Sequence, residues 1–61
     1  MSRPTPQQVR ELAAAAIADD RTVRKAYSDP ARVKPASLER VIRAAETLGI
    51  EPPKRPEGAP S

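Results

Sequence analysis

The apolar residues of this sequence recur at helical spacing and nowhere alternate with period 2. Val9, Leu12, Ala13 and Ala16 stand at i, i+3, i+4 and i+7. Val23, Ala26 and Tyr27 repeat the start of that pattern, and Leu38, Val41, Ala44, Ala45 and Leu48 carry it again further on. One apolar stripe per segment at a 3.6-residue period specifies amphipathic helices. Three such segments with no alternating stretch specify an all-α domain.

Punctuation between the stripes locates the helix ends. Thr5-Pro6-Gln7-Gln8 supplies an N-cap, a proline at the first helical position and a glutamine at the third, which together form a capping box. Asp19 is the N-cap of a second helix that ends near Ser28. Ser28-Asp29-Pro30 is a turn signal, and the loop that runs through Arg32 to Lys34 has Val33 as its apolar anchor. Pro35 opens a third helix, in which Glu39 and Arg43 are spaced for an i, i+4 ion pair. Gly49, followed by Ile50 and Pro52, reads as a glycine terminator with a hydrophobic clasp. The last ten residues, PPKRPEGAPS, hold four prolines and no large apolar side chain, the composition of a disordered or extended tail. The expected organisation is a leader at 1–4, a folded domain at 5–51 and a tail at 52–61.

Composition then removes whole classes of function. A chain of 61 residues has room for one small domain. It contains neither cysteine nor histidine, which excludes a disulfide framework, a zinc finger and the commonest general base. There is no glycine-rich phosphate loop and no carboxylate pair at a defined separation, so no enzyme, metal or cofactor is expected. No apolar run approaches the roughly 20 residues that cross a bilayer, and no signal-peptide core is present. A soluble, cytoplasmic protein is the expectation. Phe and Trp are absent, which argues against stacking platforms for single strands. Eleven Lys and Arg against eight Asp and Glu leave a net charge of +3, a balance that suits a polyanion but says little alone.

The spacing of the first two helices says more. Two short helices joined by about four residues, Ala16 to Asp19, with a third packed across them, make the plan of a helix-turn-helix unit whose second helix enters the DNA major groove. Such a helix needs base-reaching and phosphate-reaching side chains near its start, and a buried stripe small enough for the first helix to cross closely. Asp20, Arg21, Arg24 and Lys25 meet the first demand, while Val23 with Ala13 and Ala16 meets the second.

These residues resemble the N-terminal headpiece of lactose-repressor-type transcription factors. Leu12-Ala13 followed by Ala16 is similar to the family's Val-Ala-x-x-Ala, and Thr22-Val23 to its recognition-helix Thr-Val. Val33 matches its Val, and Glu39-Arg40-Val41 with Ala44-Ala45 and Leu48-Gly49-Ile50-x-Pro52 resembles its third helix and that helix's ending. The likeness spans residues 5 to 52 and implies an all-α, three-helix helix-turn-helix domain of the lambda-repressor-like kind. It places Asp20, Arg21 and Lys25 at base-reading positions, the Thr22 hydroxyl on a phosphate, and Arg32 on a loop position that touches DNA. Arg24 and Lys34 are expected on phosphates. An aspartate at the start of such a helix can accept from cytosine N4 or hold a neighbouring arginine toward guanine.

Three departures from the family stand out. Ile17 occupies a turn position where the family has glycine, although a β-branched residue is strained at positive φ. Asp19 replaces a capping Ser or Thr and adds negative charge. The family continues with a hinge helix and a sugar-binding domain, whereas this chain continues with PPKRPEGAPS, so no small-molecule effector is expected. Lys54 and Arg55 could follow phosphates as a flexible arm.

Tyr27 is expected to pack in the core with its hydroxyl at the surface. Specificity in such domains comes from two half-sites bound by a symmetric dimer. Ile42, read as lying half-exposed beside the core stripe, is with Ile17 and part of helix 3 the expected homodimer surface. The function expected is that of a sequence-specific double-stranded-DNA-binding transcriptional regulator, such as a repressor. The alternative is a small protein-binding adaptor or antitoxin-like subunit that uses the same three helices without touching DNA.

Overall fold

A computed structural model describes residues 3–55. The described chain folds as α1 Pro6–Ala16, α2 Asp20–Ser28 and α3 Pro35–Leu48, with a 3-10 turn at Pro30–Arg32 between α2 and α3. No strand occurs among the described residues, as the absence of period-2 patterning requires. Both expected N-caps form. Gln8 donates its backbone N–H to Thr5 Oγ1 at 3.2 Å while Thr5 donates its own to Gln8 Oε1 at 2.9 Å, which satisfies two of the otherwise orphaned donors at the start of α1. Asp19 accepts from the Thr22 backbone N–H at 3.3 Å and starts α2.

α1 and α3 end in the same way with different residues. The Ala18 N–H reaches the Ala13 carbonyl at 2.9 Å and the Ile17 N–H reaches that of Ala14 at 3.4 Å. At the end of α3, Ile50 donates to Ala45 at 2.8 Å and Gly49 to Glu46 at 3.3 Å. Each is a Schellman closure, in which the residue after the helix turns left-handed. Gly49 does so at φ 72°, ψ 24°, and Ile17 does so at φ 53°, ψ 51°. Ala18 and Ile50, the residues that follow, pack against the core and complete each closure.

The core draws Val9, Leu12, Ala13 and Ala16 from α1, Val23 and Ala26 from α2, and Leu38, Val41, Ile42, Ala44 and Ala45 from α3. Leu12, Val23 and Val41 are its largest fully buried side chains. α1 makes its most extensive contact with α3, where alanines on both helices permit close approach. Tyr27 and Val33 are partly buried against this cluster, as expected of a capped core and an anchored loop. No polar or charged side chain is buried among the described residues.

Three expectations for α3 are corrected. Ile42 is buried at 7% exposure and belongs to the core, not to the half-exposed position expected beside the stripe. The physical stripe is Leu38, Val41, Ile42 and Ala45, the i, i+3, i+4, i+7 set, with Ala44 beside it. Leu48, the last residue of α3, lies at the margin and is 42% exposed. Glu39 pairs with Arg55 and not with Arg43, which brings the segment after α3 back along that helix. Pro53 is buried as well. Residues 52–55 therefore lie against the domain. The remainder of the expected tail, 56–61, and the first two residues of the leader fall outside the described residues.

Candidate nucleic-acid interface

α2 is two-sided. Val23 and Ala26 are fully buried, and their burial fixes the rotation of the helix about its axis. Arg21, Arg24 and Lys25, spaced i, i+3 and i+4, consequently share the exposed side. Asp20, the first residue of α2, is also exposed. Among the described residues the ion pairs are Asp29–Arg32 and Glu39–Arg55, so none of the three cations on α2 is neutralised by a direct pair.

The acids beside them have other partners. Asp19 Oδ1 accepts from the Thr22 hydroxyl at 2.5 Å as well as from the Thr22 N–H. These two donors, the hydroxyl first, hold the Asp19 carboxyl below the usual carboxylate range, and the charge of Arg21 lowers it a little further. Asp29 forms an ion pair with Arg32 Nε at 3.1 Å within the turn that follows α2. The single proton of the Thr22 hydroxyl is given to Asp19, and the expected phosphate contact would take that donor from it.

The remaining expected contacts lie beyond the helix. Arg32 sits in the Pro30–Arg32 turn, which packs on α2, and its guanidinium is exposed but shared with Asp29. Lys34 is exposed at the residue before α3 and takes no ion pair among the described residues. Arg24 differs from its neighbours on α2 in lining an open groove of about 300 Å³ that Val9, Tyr27 and Ser28 also line. The other residues around this groove are Arg3, Pro4 and Pro6, from the leader and the start of α1. Sequence reasoning missed Arg3. The leader is visibly basic, yet nothing local to it says which helix ends it adjoins.

Chemically the surface offers fixed positive charge with fork-shaped guanidinium donors. Among the described residues no helix is long and apolar enough to cross a membrane. Comparison with known proteins finds no matching family model, no matching curated protein and no matching solved structure.

Proposed function

We propose that this chain is a sequence-specific DNA-binding regulator of the helix-turn-helix kind, in which α2 lies in the major groove. The observation that carries this reading is the division of α2 into a fully buried apolar side and an exposed side whose three cations take no ion pair among the described residues. Arg21 and Lys25 reach base edges, with Asp20 beside them at the start of the helix. Arg24, Arg32 and Lys34 meet phosphates, and Arg32 exchanges its Asp29 partner for one.

Selection from random duplexes, followed by footprinting, tests this directly. A DNA-binding domain recovers a defined site, and half-sites about one helical turn apart would indicate two bound copies. Arg21→Ala should alter the preferred base at one position, a discrimination of about 1–3 kcal/mol for a bidentate contact. Lys34→Ala should weaken all sequences alike and flatten the dependence of log K on log salt by about 0.9. Absence of any duplex shift at low salt rejects the proposal.

The adaptor reading is favoured by one observation, the exposure of Ile17 at 86% and of Leu48 at 42%. It requires salt-insensitive binding to a protein, lost in Ile17→Ser or Leu48→Ser.

A further inference from the structure

The groove between the leader, the start of α1 and the end of α2 has a chemistry of its own. Pro4, Pro6, Val9 and Tyr27 make it largely apolar, and two arginines, Arg3 and Arg24, line it from separate elements. No acid lines it. Neither arginine takes part in an ion pair among the described residues. A smaller neighbouring depression of about 140 Å³ shares Arg3 and Pro4 but has no second arginine among the described residues that line it. The larger groove, with two, is the better seat for an anion.

The volume decides what form the anion takes. About 300 Å³ is at the bottom of the range that encloses free small ligands, and this groove is open. It suits a group presented by a larger polymer. A deoxyribose has an apolar face and is flanked by phosphate, which matches an apolar floor beside two planar cationic forks. Arg24 also stands on the same side of α2 as Arg21 and Lys25. A backbone that follows those two residues therefore continues toward Arg24.

We infer that this groove is a seat for one phosphodiester and its adjoining deoxyribose, with Arg3 and Arg24 sharing the phosphate. The inference rests on the DNA-binding reading and deepens it. It assigns to the N-terminal leader a positioning contact that anchors the duplex independently of its sequence.

The test uses the full chain, the duplex recovered by selection, and a salt series. Arg3→Gln and Arg24→Gln should each weaken every duplex by a similar factor and leave base preference unchanged. Because one phosphate serves both, the double variant flattens the salt slope by about 0.9 and not by twice that, roughly a 3.5-fold difference in affinity over a fourfold change in salt. A single methylphosphonate at the seated phosphate should reproduce this loss in the wild-type protein and add nothing in the double variant. Thermal melts of all variants should coincide, since both arginines are exposed. If the wild-type protein binds its duplex and the double variant keeps the same slope, the seat is wrong while the DNA reading stands. Capture of a polyglutamate peptide that is lost in the double variant, with duplex binding unchanged, overturns it equally. If the wild-type protein shifts no duplex at low salt, the DNA reading fails first.

Discussion

Tyr27, the last but one residue of α2, donates its hydroxyl proton to the carbonyl oxygen of Glu51 at 2.7 Å. The bond ties the end of the second helix to the segment that leaves the third, across 24 residues of sequence. Together with buried Pro53 and the Glu39–Arg55 pair, it makes residues 50–55 part of the domain.

Tyr27→Phe keeps the ring and removes that bond. The expected loss is about 1 kcal/mol, which for a domain of this size lowers Tm by roughly 4–8 °C. Burial, and then the Glu51 charge, raise the Tyr27 pKa above its ordinary value. The folded state therefore holds the phenolic proton more tightly than the unfolded state does. The associated stability is complete below about pH 10 and is lost as the pH rises through the folded pKa. Urea melts from pH 8 to 11 should show this alkaline loss in the wild-type protein and not in the variant. With a single tyrosine in the chain, phenolate absorbance reports the same titration.

Ile17→Gly should stabilise the protein. A β-branched residue held left-handed carries roughly 1–2 kcal/mol of strain, while glycine adds somewhat less than 1 kcal/mol of unfolded-state entropy. Little burial is lost, because Ile17 is 86% exposed. A net gain of about 0.5–1 kcal/mol in denaturant melts is expected. A loss of stability would mean that the side chain makes a contact the backbone argument omits.

Asp19→Ala removes the acceptor for both Thr22 donors and should lower Tm at pH 7. Because the folded pKa of Asp19 is depressed, its contribution is present above the unfolded value and disappears as the pH falls through the folded one. The Tm difference between Asp19→Ala and wild type should accordingly shrink below about pH 4. Asp19→Asn, which retains a capping oxygen, should keep most of the stability at neutral pH and lose the acid dependence.

Ile42→Ala should behave as a core deletion. A loss of about 2–4 kcal/mol is expected from such a truncation, which is large for a domain with so small a core. Circular dichroism would show the unfolding, and sedimentation at concentrations where the variant stays folded should show no change in assembly attributable to residue 42. Dissociation of a folded dimer by this substitution would contradict its place in the core.

Several features were legible in sequence because they depend on neighbours within four residues. The Thr5 to Gln8 box, the Asp19 cap and the left-handed Gly49 belong to this group, and each needs only its own turn of helix to form. The exposed row Arg21, Arg24 and Lys25 could be read as soon as Val23 and Ala26 were assigned inward. Ile42 was misplaced because a stripe drawn through Leu48 and one drawn through Ile42 fit the same letters. Which one faces inward depends on where α1 lies against α3.

The sequence by itself determined three helices, their caps and a cationic side of α2, since hydrophobic period and capping chemistry are local. Only the tertiary structure decided that Glu39 takes Arg55 over Arg43, and that Arg3 and Arg24 line one groove. Each of these turns on which side chains meet in space. For the groove and for Arg55, the partners are more than a dozen residues apart and are brought together by packing around Leu12, Val23 and Val41. For Glu39 the choice is between Arg43 on its own helix and Arg55 beyond it, and geometry selects the second.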